Sequence, residues 1–480
     1  MIKFGTGGWR AIIGDEFTKE NIQILAMAMV EKMKNEHVAD EGIIIGYDRR
    51  FLSKEAMRWC GQVFAQHGIK AKLVNKSSPT PLIMYYVEAH SLHYGMMITA
   101  SHNPAIYNGV KVFTYGGRDA DEKETADIEH YIADVTDIPV PEMDYDEAVE
   151  KGLIEEIYPI NEYLDNILKA VNVQAIRDAN LHIALDPMYG VAETSIKTIL
   201  ITARCEVDTI HGRHDTLFGG KLPAPNEEAL RQLGAFVVDR KCQIGLATDG
   251  DADRIGVVDD TGRYLSPDEI MILLYYYLVK YRGEKGAVVR NLCTTHMLDR
   301  IAEEFGENCY EVPVGFKWIS AKMTETGALI GGESSGGLTV RGHIHGKDGV
   351  YAAALLVEML AVTGRKVSEL MNEIREHYGT IYMSQSSYRF KASRKEELLN
   401  ILSKDRKIPE FTQEIDHVSY MDGCKVYFKN GGWVSARFSG TEPLLRVFAE
   451  MPSKDEAEAV SEAWRVFLGL DHDGNGKNAA

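Results

Sequence analysis

The sequence predicts an α/β protein of several domains, with parallel strands covered by helices on both faces and a smaller α+β segment at the end of the chain. Three observations carry this expectation. Short apolar runs, such as Gly42 to Tyr47, Tyr94 to Ile98 and Ile244 to Thr248, alternate with stretches of helical period. The 480 residues correspond to roughly three or four domains of ordinary size. From Gly379 onward the alternation gives way to strands, among them Lys425 to Phe428 and Val434 to Phe438, followed by one amphipathic helix.

Taken in order, the chain opens with a glycine-rich loop, Gly5-Thr6-Gly7-Gly8-Trp9-Arg10, which ends in a fixed cation but lacks the Gly-Lys-Ser/Thr ending of a P-loop. Thr18 is a plausible N-cap for a helix whose apolar positions are Ile22, Leu25, Met29 and Met33. A strand at 42–47, a polar Asp48-Arg49-Arg50, a helix from Ser53 and a strand near 70–74 follow, and Pro79-Thr80-Pro81 makes a hard break. The run Tyr94 to Ile98 then delivers Thr99-Ala100-Ser101-His102-Asn103-Pro104, where Pro104 stops any ladder and leaves Ser101 at a strand end. Asn108-Gly109 turns the chain into Val110 to Phe113, with Lys111 among apolar neighbours. The acidic stretch from Asp134 to Glu156 reads as a linker. A second alternating segment begins at Leu181 and a third near Asp259. The last helix starts at Ser453, with Glu456 in capping-box position and Val460, Trp464, Phe467 and Leu468 on one face.

Composition excludes several classes. Lys plus Arg number 53 against 71 Asp plus Glu, a net charge of −18, which disfavours non-specific binding to nucleic acid or an anionic membrane. Any phosphate must be held locally. The six cysteines are scattered without metal or disulfide spacing, which fits reduced thiols. No signal peptide or membrane-spanning run is evident, so a cytoplasmic protein is expected.

Four distant stretches carry the chemistry. Ser101, beside His102, presents a hydroxyl on a loop at a strand end, though Ser-His-Asn-Pro alone is also ordinary turn chemistry. In Asp249-Gly250-Asp251-Ala252-Asp253-Arg254, three alternating carboxylates repel unless a cation joins them, and hard oxygen ligands suit Mg²⁺. An EF-hand is rejected there, because Arg254 stands where the loop needs glycine. Gly331 to Gly337 surrounds Glu333 and Ser335 with glycines, which lets the backbone approach a ligand while a carboxylate accepts from sugar hydroxyls; a hinge loop would share that glycine content. Arg437-Phe438-Ser439-Gly440-Thr441 offers a guanidinium, two hydroxyls and a backbone glycine as a phosphate cradle, with Arg446 on the next strand.

With these four loops in this order, the sequence resembles the α-D-phosphohexomutase family, the phosphoglucomutases and phosphomannomutases, over about residues 1–470. The resemblance implies a four-domain architecture around a central cleft: three similar mixed α/β domains at 1–140, 155–256 and 257–374, and a C-terminal α+β domain at 379–470, with 471–480 as a tail. It implies an intramolecular phosphotransferase that interconverts hexose 1-phosphate and hexose 6-phosphate. Ser101 would be carried as phosphoserine, and Asp249, Asp251, Asp253 and an oxygen on Ser101 would hold Mg²⁺. Lys111 would be the general acid/base, with its pKa lowered by desolvation among other cations. His102 would support the serine loop. Arg10 and Arg254 would orient phosphate. Glu333, Ser335 and Lys317 would read the sugar, and Arg437, Ser439, Gly440 and Thr441 would bind phosphate. Glucose 1,6-bisphosphate would be the intermediate and activator, and the enzyme a monomer or homodimer.

Two features lean toward glucose. Gly337 stands where mannose/glucose and glucosamine members commonly have histidine, and Gly315-Phe316-Lys317-Trp318 is similar to the Gly-Trp-Lys-Phe stretch of phosphoglucomutases. A phosphomannomutase or dual-specificity mutase is the alternative, ahead of a phosphoglucosamine mutase or phosphopentomutase. A kinase lacks its nucleotide loop, and a non-catalytic sensor would have no use for Ser101, Lys111 and the aspartates. Asp471 to Gly476 imitates half an EF-hand, but the sequence holds no twelfth-position glutamate.

Overall fold

The computed structural model describes residues 2–5, 8–136, 139–438 and 443–470. The chain forms two compact units, Met1–Glu284 with Leu329–Leu370, and Lys285–Ala328 with Met371–Ala480. The segment 257–374, expected as one domain, contributes to both.

The first unit opens with strands β1 (Trp9–Ile12), β2 (Ile43–Tyr47), β3 (Ala71–Val74), β4 (Tyr94–Ile98), β5 (Tyr107–Thr114), β6 (Arg118–Asp119) and β7 (Ile154–Ile157). They lie in the order β1-β5-β4-β2-β3-β7, with β6 on β5. β2, β3, β4 and β7 run parallel, and β5 returns antiparallel to β4 with Met97 opposite Lys111. Every residue of β2 and β4 is buried, as expected of strands covered on both faces. The helix Lys19–Asn35 begins where Thr18 Oγ1 accepts from Asn21 N (3.3 Å), as the sequence suggests. The acidic stretch read as a linker is partly ordered structure. It carries the helix Tyr145–Glu150 and then β7, whose Ile154 is buried and pairs with Ala71, so this segment extends the first sheet.

A second sheet follows: β8 (His182–Asp186), β9 (Glu206–Thr209), β10 (Ile244–Thr248), β11 (Ile255–Val258) and β12 (Tyr264–Leu265), in the order β12-β11-β10-β8-β9. β10 is parallel to β8 and antiparallel to β11. Residues 249–254 are therefore the tip between a buried strand and its return, as residues 99–106 are between β4 and β5. The antiparallel pair Ile330–Gly332 and Leu338–Val340 repeats the plan, with residues 333–337 at its tip.

In the second unit Val288–Asn291 pairs parallel with Cys309–Val312. A five-stranded antiparallel sheet has the order Tyr382–Arg389, Leu444–Met451, Trp433–Phe438, Cys424–Phe428, Ile415–Ser419. The helix Lys454–Phe467 starts at Ser453, whose Oγ accepts from Glu456 N (3.3 Å). It buries Val460 and Trp464, with Leu468 just beyond its end. Phe467, expected on that face, is 39 % exposed and meets Trp464 edge-on at 6.1 Å. Among the described residues no helix is long and apolar enough to cross a membrane, and all six cysteines are unpaired.

Candidate active site

Ser101 is buried at the end of β4 with φ of +50°, a left-handed conformation disfavoured for a residue with a Cβ. Its Oγ donates to Asp249 Oδ2 (2.9 Å) and lies 3.3 Å from His102 Nδ1. Its backbone N donates to Thr99 Oγ1 (2.9 Å). Gly250 is what lets the two loops meet, since a Cβ there would lie 2.8 Å from Ser101 O. Arg10 Nη1 donates to Asn103 Oδ1 (2.5 Å). Burial, then the charges of Arg254 and Arg10, holds the His102 imidazole well below its ordinary pKa, so it is neutral.

Asp249, Asp251 and Asp253 are all buried, and each offers a carboxylate oxygen within 4.8 Å of the others. Lys111 Nζ donates to Asp251 Oδ2 and Asp253 Oδ2, both at 2.7 Å, and Thr80 Oγ1 donates to Asp251 Oδ2 (2.6 Å). Asp249 Oδ1 accepts from the backbone N of Asp253 (3.1 Å) and of Arg254 (3.2 Å). Oδ1 of Asp251 and of Asp253 are buried without a partner. Burial, with Asp251 and Asp253 adding to it, pushes Asp249 well above the usual carboxylate range. Burial acts in the same sense on Asp253, but Lys111, Lys347 and Arg254 outweigh it and hold that carboxylate well below. A buried set of hard oxygens with two of them unpartnered fits a divalent cation of the Mg²⁺ type.

The expectation of a lowered pKa for Lys111 is not met. Burial lowers it, but Asp251 and Asp253 at hydrogen-bond distance, with Asp119 beyond them, raise it above its ordinary value. Sequence spacing did not show that the two strands bring this lysine onto the aspartates rather than among cations.

In the third loop, Ser335 Oγ donates to Glu333 Oε1 (2.6 Å), so the two expected sugar readers already bond each other. The loop is closed by Glu333 N to Gly337 O (3.0 Å) and tied to β11 by Ile255 N to Gly336 O (3.2 Å). Arg254 Nε is buried without a hydrogen-bond partner, 3.9 Å from Asp253 Oδ1. Lys347, which sequence reasoning missed, places Nζ 3.3 Å from Asp253 Oδ2. Its side chain crosses Gly337, where a Cβ would lie 2.2 Å from Lys347 Cδ and 2.7 Å from Cγ. The departure from histidine at 337 thus has a steric reason, and it was the one signal in the sequence that could have led to Lys347.

The first unit therefore brings together Arg10, Ser101, His102, Lys111, Asp249, Asp251, Asp253 and Arg254, with Glu333 and Ser335 on the adjoining hairpin. Lys317 and Arg437 belong to the second unit. There Asp422 Oδ2 accepts from Val314 N (3.0 Å) and pairs with Arg437 Nη2 (3.2 Å), which joins the Gly315-Phe316-Lys317 turn to the start of the fourth loop. Arg446 stands opposite Arg437 across the strand pair. Ser439, Gly440, Thr441 and the 471–480 tail lie outside the described residues.

Family models match most of the chain. Those described as phosphoglucomutase/phosphomannomutase alpha/beta/alpha domains I, II and III match residues 1–138, 161–262 and 266–378, and the C-terminal domain matches 394–465. The chain belongs to the phosphoglucomutase/phosphomannomutase family. It is a phosphohexomutase, an isomerase by class. A "Phosphoglucomutase/phosphomannomutase" of Thermococcus kodakarensis is 28% identical over 471 residues, 96% of each chain. A "Probable phosphoglucosamine mutase" of Methanosarcina acetivorans is 30% identical over 463 residues, 96% of this chain and 98% of that one. Among solved structures, a "putative phosphomannomutase" from Thermus thermophilus superposes with a TM-score of 0.84 at 28% identity, covering 98% of this chain and 99% of that one. The four family segments follow the order expected from the loops.

Proposed function

We propose that this phosphohexomutase interconverts hexose 1-phosphate and hexose 6-phosphate, with glucose favoured, through phosphoserine at Ser101 and a bound 1,6-bisphosphate. The observation that carries the reading is the Ser101 hydroxyl 2.9 Å from Asp249 in a buried triad with two unpartnered carboxylate oxygens. Asp249, Asp251, Asp253 and an oxygen on Ser101 would hold Mg²⁺, which when bound offsets charge on a phosphoryl group in transfer.

In the forward direction the bond from phosphorus to sugar O6 forms as its bond to Ser101 Oγ breaks. The proton leaving O6 is balanced by one returned to Oγ, and Lys111 is the proposed carrier. The bisphosphate then turns over, and its O1 phosphoryl group passes to Ser101. Arg10, Arg254, Arg437, Ser439, Gly440 and Thr441 are the proposed phosphate ligands, and Glu333, Ser335 and Lys317 the sugar ligands. His102, neutral and 3.3 Å from Oγ, orients the serine without adding charge. Six unpaired thiols support a reducing, cytoplasmic setting. A monomer or a homodimer would serve equally.

Glucose is favoured because Lys347 occupies the space beside Gly337 that a histidine side chain would need. A second reading, an amino-sugar mutase, is favoured by the name of the Methanosarcina relative. The test follows glucose 6-phosphate formation from glucose 1-phosphate with Mg²⁺ and a trace of glucose 1,6-bisphosphate, beside mannose and glucosamine 1-phosphates and beside Ser101→Ala. Turnover lost in Ser101→Ala supports the phosphoserine route, and the ratio of kcat/KM values assigns the sugar. Undiminished turnover in Ser101→Ala would overturn the route.

A further inference from the structure

Within the serine loop the backbone bonds itself at Asn103 N to Ala100 O and at Tyr107 N to Pro104 O, both 3.0 Å, but neither bond involves Ser101. Arg50, fully buried after β2, aims its guanidinium into the loop. Nη2 donates to Ser101 O and Asn103 O, both at 2.7 Å, and Nη1 donates to Pro104 O and Tyr107 O, both at 2.9 Å. Four of the five donors of a rigid planar fork are thus spent on three carbonyls of the loop and on that of Tyr107, where β5 begins. The fifth, Nε, makes no hydrogen bond but forms an ion pair with Asp48 Oδ2 at 3.2 Å. Asp48 in turn accepts from Ser53 Oγ (2.8 Å), from Arg50 N (2.9 Å) and from Thr99 Oγ1 (2.6 Å). Thr99 Oγ1 is the acceptor for Ser101 N. Both backbone sides of Ser101, its N–H and its carbonyl, therefore return to the Asp48–Arg50 pair.

We infer that Arg50, oriented by Asp48, is a positioning residue that holds Ser101 in its left-handed conformation and sets its hydroxyl against the carboxylate triad. The inference rests on the proposed role of Ser101 as phosphoryl carrier. A residue with a Cβ at φ of +50° keeps that conformation only where its surroundings impose it. On the loop's outer face the backbone meets Gly250, which has no side chain to give, and Ser101 is tied there through its own side chain, to Asp249 Oδ2 (2.9 Å). The Arg50 fork supplies the constraint from the inner face. Arg50 touches no group proposed to bind sugar, so its loss should act on the chemical step and leave sugar binding nearly intact. Misplacing a reacting atom by about 1 Å costs on the order of 100-fold in rate.

The test compares full-length wild type, Arg50→Lys and Arg50→Ala in steady-state mutase assays and in a rapid-quench measurement of phosphoryl transfer from glucose 1,6-bisphosphate to Ser101. Arg50→Lys keeps the charge but not the fork. It should lose about 100-fold in kcat and in the rate of Ser101 phosphorylation, with KM within about threefold of wild type. The Arg50 and Asp48 side chains are themselves buried, but residues 47–52 border an open cavity of about 670 Å³, toward which truncation at Arg50 would open the vacated place. Arg50→Ala should recover about tenfold in millimolar guanidinium chloride and none in ammonium chloride of equal ionic strength. If Arg50→Ala does not fold, Arg50→Lys carries the test. Should Arg50→Lys match wild type in kcat, or lose activity only in proportion to its unfolded fraction, the inference is wrong while the phosphoserine reading stands. Wild-type turnover that never passes through Ser101 would overturn both.

Discussion

Replacing Gly337 by alanine tests how closely the sugar loop and the carboxylate cluster are coupled. Gly337 does not have a positive φ, so alanine adds no backbone strain. What it adds is a Cβ 2.2 Å from Lys347 Cδ. Those atoms are mid-chain, so Lys347 must swing away and surrender its approach of 3.3 Å to Asp253 Oδ2. Lys347 is 16% exposed and Asp253 2% exposed, so solvent replaces the pair poorly. A close, poorly solvated charge pair contributes about 1.5 kcal/mol or more, and at 1.36 kcal/mol per decade this is a fall of roughly 10-fold or more in kcat/KM. The assay is a double-mutant cycle with Lys347→Met. If the steric argument is right, Gly337→Ala has almost no further effect once Lys347 is gone. Multiplicative effects, or a Gly337→Ala enzyme within threefold of wild type, would refute it.

Three further outcomes follow from the geometry. Mg²⁺ at 100 times its dissociation constant should stabilise the unit holding the triad by about 2.7 kcal/mol; thermal melts with Mg²⁺ against EDTA should show an upward shift that Asp253→Asn reduces. In the second unit, burial first, then Arg290 and Lys425, depresses His296 to about 3, and its Nε2 faces Lys425 Nζ at 2.9 Å. The unfolded chain therefore binds the proton more tightly, and stability should fall by at most about 1.4 kcal/mol per pH unit as pH drops from 6.5 toward 3; unfolding titrations of His296→Gln should lack that share of the acid loss. Asp422→Ala frees both Val314 N and Arg437, and should raise KM for hexose phosphate about tenfold, the worth of roughly one charged hydrogen bond, while the rate of Ser101 phosphorylation at saturating bisphosphate stays within threefold in rapid-quench experiments.

The sequence made the strands and the four loops legible because each loop is set off by the same local signal. A buried apolar run ends at glycine, proline or alternating aspartates, and the next run returns. The structure gives that pattern one meaning: residues 99–106, 249–254 and 333–337 are each the tip between a strand and its antiparallel return. What stayed hidden depends on distance along the chain. Lys111 and Asp253 are 142 positions apart, and Arg50 and Ser101 are 51 apart. No periodicity links such pairs. The strand at Ile154–Ile157 was concealed for another reason: Glu155 and Glu156 make an edge strand look like linker, because an edge exposes one side of its ladder to water.

Lys111 shows how far the fold, and not the local sequence, sets the charge of a buried group. Sequence places Lys111 correctly on a strand beside the serine loop, and burial alone would lower its pKa. The sign is decided by which charges the fold sets within about 3 Å, since attraction at that range outweighs desolvation where two carboxylates converge. The same convergence explains why the triad tolerates burial. Lys111 and Lys347 both reach Asp253, Lys111 and Thr80 satisfy Asp251, and the two oxygens left over, Asp251 Oδ1 and Asp253 Oδ1, are those a divalent cation would take. A cation bound there competes with both lysines for the same carboxylates, so metal binding and the proton held on Lys111 are coupled through Asp251 and Asp253.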